Sequence, residues 1–302
     1  MDTRRIGSLT VSAVGLGCNN FGWHIGEAAS RSVVGAALDA GITHFDTADV
    51  YGDGASERFL GRALAGHRDE VVIATKFGNG TGARPAVIRQ SVEASLQRLG
   101  TDCIDLYYLH KPDPATPLAD TLGALAELVD AGKVREVACS NVGAGQLRQA
   151  EAAASGARFV AVQNEYSLLH REPEAEVLDA CDALDLAFVP FFPLKSGLLT
   201  GKYRAGEVEV GGRLNATEGK FAGLGERLLT DATLATVEHL IGWAAERGHT
   251  ILDLAFAYLL AQPSVASVIA GATTPAQIRS NVDAASWRLS PDALAALRAE
   301  LA

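Results

Sequence analysis

The chain has 302 residues, 48% of them hydrophobic, enough to build one large core or two smaller ones and too apolar for a disordered protein. Lys plus Arg number 26 against 36 Asp plus Glu, a net charge of −10, so the overall field repels nucleic acid and anionic membranes and favours a small-molecule partner. An anionic cofactor would have to be held by local cations and backbone N–H groups instead.

The first residues, Met1 to Ser8, lack the apolar core of a signal peptide. Arg4–Ser12, with Gly7-Ser8 at its centre, reads as a hairpin. Apolar runs rich in Val, Ile and Phe then alternate with stretches of helical period. Strands are expected at Ala13–Leu16, Thr43–Asp46, Val71–Lys76, Cys103–His110, Val134–Ser140, Phe159–Gln163, Ala187–Phe191 and Ser267–Ala270. Between them, helices are expected at Ala29–Ala40, Ser56–Ala65, Pro85–Leu99, Leu118–Ala131, Ala144–Ala154 and Pro173–Leu184. Thr116-Pro117, Thr274-Pro275 and Ser290-Pro291 each offer an N-cap followed by proline at the first helical position, and Gln277 completes a capping box with Thr274. Arg204–Asp231 breaks the rhythm with six glycines and no clear period, as expected of a lid or binding loop. Two helices follow, Ala232–Arg247 and Ile251–Leu260, the second apolar nearly all round and so expected to be buried. The apolar tract Ile251–Ala272 is broken by Asp253, Gln262 and Pro263, so no membrane span is expected. Cys18, Cys103, Cys139 and Cys181 form no CxxC pair, which suits reduced thiols in a soluble, cytoplasmic protein.

This alternation is the pattern of repeated βα units around a parallel sheet. Positions 46, 76, 110 and 140 are separated by 30, 34 and 30 residues, one βα unit per interval. Eight such units in about 250 residues make a (β/α)8 TIM barrel. The expectation is a single domain, residues 1–302, with the N-terminal hairpin plugging the barrel base and additional helices at the C-terminus.

In a barrel, residues at C-terminal strand ends converge on one mouth. Asp46, Lys76 and His110 fall there on three consecutive strands, and Tyr51 follows in the turn after the first of them. Singly, each has a bland explanation as a turn cap, a snorkelling lysine or a core imidazole. Together they make a proton donor. An ammonium near a phenol stabilises the phenolate, a carboxylate keeps a buried ammonium charged, and an imidazole can donate a hydrogen bond to a substrate oxygen.

Gly41-Ile-Thr-His-Phe-Asp-Thr-Ala-Asp-Val-Tyr-Gly-Asp-Gly-Ala-Ser-Glu57, running on to Leu60-Gly61, closely resembles the signature of the aldo-keto reductase family. Val72 to Gly78 and Asp105 to His110 resemble its Lys and His segments. The likeness continues through Ser140-Asn141, Val162 to Leu169, Pro193-Leu194, Gly197 to Lys202 and Gly271 to Asn281, covering nearly the whole chain. It implies an NADP(H)-linked oxidoreductase that passes hydride between nicotinamide C4 and a carbonyl carbon, with Tyr51 as general acid, Lys76 and Asp46 tuning it, and His110 orienting the carbonyl. It also implies that Ser140, Asn141 and Gln163 grip the nicotinamide carboxamide. The implied cofactor site further draws on Gly17, Cys18, Phe191, Pro193, Leu194, Ser196, Gly197, Gly271, Thr273, Gln277 and Asn281.

The chain departs from that pattern in two places. Phe191 stands where relatives usually stack a tyrosine on the nicotinamide; its face suffices for stacking, while the adjacent Phe192 is expected to be core packing. Around Gly271–Thr274 and at Gln277, some relatives carry the cations that pair with the 2′-phosphate of NADP. Helix N–H groups, threonine hydroxyls, Arg279 or Lys195 would have to replace them, so NADP(H) is expected with NAD(H) as the other option. Trp23 and His24 are candidates for the substrate pocket, and no histidine spacing suits a metal. Two other readings stand beside this one: a nicotinamide-binding regulatory module with little turnover, and a Schiff-base enzyme acting through Lys76.

Overall fold

The computed structural model describes residues 1–204, 214 and 223–301. Strands β1 (Thr3–Ile6) and β2 (Leu9–Ser12) form the N-terminal antiparallel hairpin. Eight parallel strands follow: β3 (Val14–Gly17), β4 (His44–Asp46), β5 (Val72–Phe77), β6 (Ile104–Leu109), β7 (Val134–Ser140), β8 (Phe159–Glu165), β9 (Ala187–Phe191) and β10 (Val268–Gly271). Their order, β10-β3-β4-β5-β6-β7-β8-β9, sets β10 beside β3 and leaves β9 at the other edge. The residues just before β10 close the ring onto β9: Phe188 N donates to Ser264 O at 2.7 Å, and Ala266 N donates to Phe188 O at 2.9 Å. The molecule is a (β/α)8 barrel, and each expected strand lies within two residues of its observed place.

Every residue of β5 and β6 is buried, because each strand presents one set of side chains to the helices and the other to the barrel axis. The outward set, including Phe45, Ile73 and Leu109, joins the core under the helices. The inward set is a separate cluster in which Val72, Ala74, Leu106, Tyr108, Ala138, Ala161 and Val189 pack with Ile6, Leu9 and Val11 of the hairpin. The hairpin is thus the plug of the barrel base. Ser8 N donates to Glu136 Oε1 at 2.7 Å, and Arg4 donates to Leu260 O at 2.7 Å, tying it down.

The surrounding helices are α1 (Glu27–Asp39), α2 (Ala55–Ala63), α3 (Pro85–Leu99), α4 (Leu118–Asp130), α5 (Ala144–Ala153), α6 (Pro173–Leu184), α7 (Leu224–Leu228), α8 (Asp231–Ala245), α9 (Ile251–Leu260), α10 (Pro275–Ala284) and α11 (Pro291–Glu300). Helix α2 meets α3 at Gly61, where an added Cβ would lie 2.1 Å from Leu99 O; only glycine allows that approach. As expected of its sequence, α9 buries Ile251 and every residue from Leu254 to Leu260.

Local details differ from expectation at three points. Thr116 does not cap α4, which starts after Pro117; its hydroxyl instead donates to Asp113 Oδ2 at 2.7 Å, drawn off by a turn that the carboxylate organises. Thr274 does cap α10 by accepting from Gln277 N, but Gln277 Oε1 reaches back to Thr273 N at 2.7 Å, one residue short of a capping box. Ser290 caps α11 as expected. Of the Arg204–Asp231 segment, residues 205–213 and 215–222 lie outside the described residues, and Leu224–Leu228 is helical where no period was visible.

Candidate active site

The C-terminal strand ends and the loops after them enclose a cavity of 890 Å³. Asp46, Tyr51 and His110 line it, and Lys76 reaches them from below. Asp46 ends β4 and Lys76 lies near the end of β5, and both side chains are buried at the barrel axis. Lys76 Nζ lies 2.5 Å from Asp46 Oδ1 and donates to Thr47 O at 2.8 Å. The other carboxylate oxygen of Asp46 accepts from Gln163 Nε2 at 2.8 Å, so charge and hydrogen-bond partners compensate for burial.

Tyr51 sits on a tight turn built by glycine. Gly52 adopts φ +56°, and an added Cβ there would lie 2.9 Å from Gly22 Cα, so the loops after β3 and β4 can touch. That contact brings the Trp23 ring to 5.7 Å from the Tyr51 ring. The His110 ring meets Tyr51 edge-on at 6.0 Å, and the Lys76 ammonium lies 5.2 Å from the Tyr51 ring centre. Glu57, wholly buried at the start of α2, accepts from Thr75 at 2.6 Å and from Arg98 at 2.5 Å, pinning the end of this loop to β5 and α3.

Burial would discharge Lys76, but Asp46, helped by Tyr51, outweighs it and holds the ammonium above its ordinary pKa. Tyr51 differs from expectation. Desolvation pushes the phenol above its ordinary pKa, and the opposing charge and hydrogen bond of Lys76 only moderate the rise. Two residues before Asp46 on β4, the imidazole of His44 is wholly buried, which lowers its pKa to about 4.

The opposite wall comes from the ends of β7 to β10. Ser140, Asn141, Gln163, Phe191, Pro193, Leu194, Ser196, Gly197, Gly271, Thr273, Gln277 and Asn281 all line the cavity, as does Gly17 from β3. Ser140 Oγ donates to Gln163 O at 2.7 Å, and Asn141 Nδ2 donates to His110 O at 2.9 Å, so these residues also brace the wall. After β9 the chain winds through left-handed conformations at Phe192 (φ 51°), Lys195 (φ 42°) and Ser196 (φ 57°), which turns backbone toward the cavity.

Several expected residues do not meet the cavity. Cys18 lies beneath its wall: the side chain is buried, its N–H donates to Asp46 O, and its C=O accepts from Ser56. Lys195, offered as a phosphate partner, is paired with Glu165 at 2.5 Å, and Arg279 points to solvent. Phe192, expected in the core, lines the cavity because its left-handed turn swings the ring outward. Sequence reasoning missed Asn20, Asn79, Lys111, Thr200 and Lys202, all of them lining residues. The signal was present for three: Thr200 and Lys202 lie in the Gly-Leu-Leu-Thr-Gly-Lys stretch of the family likeness, and Lys111 follows His110. Among the described residues, no cluster of His, Cys, Asp or Glu suits a metal, all four cysteines are free, and no helix is long and apolar enough to cross a membrane.

Comparison with known proteins agrees with this arrangement. The family model described as Aldo/keto reductase family matches residues 13–301. The chain belongs to the aldo/keto reductase family. It is 34% identical to "Aldo-keto reductase str7" of Strobilurus tenacellus, with 99% of this chain and 91% of that protein covered. It is 38% identical to "Aldo-keto reductase yakc [NADP(+)]" of Schizosaccharomyces pombe over 67% of this chain and 64% of that one. To the "L-glyceraldehyde 3-phosphate reductase" of Escherichia coli O157:H7 it is 33% identical, over 91% and 84% respectively. This aldo/keto reductase is therefore an NAD(P)H-dependent oxidoreductase.

Proposed function

We propose that this enzyme uses NADP(H) to reduce aldehyde or ketone carbonyls to alcohols, or runs the reverse, with Tyr51 as the general acid and base. The observation that carries the reading is the buried Asp46–Lys76 pair, which sets an ammonium 5.2 Å from the Tyr51 ring at the mouth of the barrel.

The cavity fits a dinucleotide along its β7–β10 side. Phe191 presents an aromatic face, Gly17 and Gly271 leave room for close approach, and Lys202 supplies a cation for a pyrophosphate. When bound, the nicotinamide supplies a hydride to the carbonyl carbon. His110 then holds and polarises the carbonyl oxygen, and Tyr51 gives that oxygen its proton as negative charge develops. Its raised pKa keeps Tyr51 protonated through the neutral range, so the acid is loaded before reaction. Lys76 stabilises the phenolate left behind, and Asp46 and Gln163 hold Lys76 in place.

Preference for NADP(H) over NAD(H) rests on the name of the Schizosaccharomyces pombe relative alone, since Arg279 and Lys195 do not face the cavity and a cation on the pyrophosphate serves both nucleotides. The same reading takes residues 1–302 as one domain acting on a small molecule in the cytoplasm, in keeping with four free cysteines. The test is NADPH and NADH oxidation across aldehydes, ketones, quinones and sugars, with a phosphorylated aldehyde included because of the Escherichia coli relative's name. Turnover of carbonyl compounds with a preference for NADPH is expected. Tight nucleotide binding without turnover of any of them would favour a regulatory module instead.

A further inference from the structure

We infer that Lys111 selects among carbonyl substrates, favouring those that carry a carboxylate or phosphate a few bonds from the carbonyl. This rests on the carbonyl-reductase reading and adds a substrate class to it.

The chain as a whole carries a net charge of −10, yet among the described residues its cavity is lined by two lysines, Lys111 and Lys202, and by one carboxylate, Asp46. Asp46 is neutralised by Lys76, so the uncompensated charge that the described residues present to the cavity is positive. Such a concave site concentrates anions against the overall field. The two lysines stand on different halves of the mouth. Lys202 lies beyond β9 on the dinucleotide side, where its ammonium rests 5.0 Å from the Tyr203 ring centre. Lys111 lies directly after His110 at the end of β6, on the side of Tyr51.

The root of Lys111 is held firmly. His110 N donates to Phe77 O at 2.8 Å, and His110 O accepts from Asn141 Nδ2 at 2.9 Å. Consecutive Cα atoms are about 3.8 Å apart, so the lysine is anchored one residue from the imidazole that receives the carbonyl. Elsewhere near the mouth, Lys76 pairs with Asp46 and Lys195 with Glu165, but among the described residues Lys111 has no carboxylate partner. Asn79, two residues past the end of β5, also lines the cavity and carries an amide donor. An exposed ammonium in a cavity that an amide also lines, with no carboxylate partner among the described residues, matches a small carboxylate or a phosphate monoester.

An anion bound this way interacts alike in the ground and transition states, so its signature is a lower KM. The experiment compares kcat/KM with NADPH for two matched pairs, succinic semialdehyde against butanal and glyceraldehyde 3-phosphate against glyceraldehyde. It uses the wild type, Lys111→Met and Lys111→Arg, at low and high salt. The wild type should prefer the anionic member of at least one pair by roughly two- to fivefold, through KM. Lys111→Met should bring that ratio close to one, Lys111→Arg should keep most of it, and salt should shrink it. The pair that shows the effect identifies the anion as carboxylate or phosphate. Turnover of the neutral aldehydes with no anionic preference, or with one that Lys111→Met leaves intact, overturns the role of Lys111 alone. No turnover of any member overturns the reductase reading as well.

Discussion

The two halves of the barrel mouth are built differently. The half at the ends of β3 to β6 holds the buried, charged Asp46–Lys76 pair on regular strands, fixed by backbone and amide partners, with Tyr51 in the turn after β4 and His110 just past β6. The half at the ends of β7 to β10 carries amides, an aromatic face and left-handed backbone at Asn141, Phe192, Lys195 and Ser196. Under the proposed function the first half would stabilise developing charge, which needs preorganised polar groups in a dry place. The second would hold the dinucleotide, which needs surface and donors. They are joined at Gln163, which reaches from β8 to Asp46 at 2.8 Å.

If the halves divide the work this way, substitutions in the first should act on turnover and those in the second on nucleotide affinity. The largest effect is expected from Tyr51→Phe, which should cut kcat by about 10²–10⁴-fold while fluorescence titration still shows NADPH binding. A variant with normal kcat would remove Tyr51 from the chemistry. Next is Lys76→Met, which strands a buried carboxylate and should lose about 3–5 kcal/mol in urea unfolding as well as activity. Adding Asp46→Asn should restore most of the stability and none of the activity; recovery of both would mean that the pair is only structural.

His44 tests the dryness of the reacting half. Its pKa is about 4 in the folded chain against an ordinary 6.5, so the unfolded chain takes up the proton first as pH falls. The stability due to neutral His44 is present above pH 6.5 and lost on the way down to pH 4, a difference of roughly 3 kcal/mol. His44→Leu should flatten that part of the stability–pH curve, and an unchanged slope would count against a dry barrel axis. The smallest effect belongs to the second half: Phe191→Leu should raise the NADPH Kd by about 2- to 10-fold, with a lesser change in kcat. A fall in kcat alone would blur the division.

Much of this was legible beforehand, because β strands buried on both faces leave unbroken apolar runs, and polar residues at their ends stand out against them. Asp46, Lys76 and His110 were visible for that reason, and the family likeness gave them roles. What stayed hidden depends on facts that a linear pattern does not encode. The pKa of Tyr51 follows from how much wall surrounds the phenol, which outweighs the neighbouring ammonium. Cys18 and Phe192 exchanged their expected places because the direction of a side chain in a turn is set by local φ and by which backbone groups are already bonded. Lys111 drew no notice because a lysine after a strand is ordinary until its neighbours are known.

The central claim is that the two halves meet at a hydride transfer, with a carbonyl held by Tyr51 and His110. The most direct measurement supplies NADPH deuterated at nicotinamide C4, on each face in turn, and follows the label by mass spectrometry. Deuterium from one face should appear on the carbinol carbon of the alcohol, without exchange into water. Alcohol product lacking the label from both faces would contradict the account.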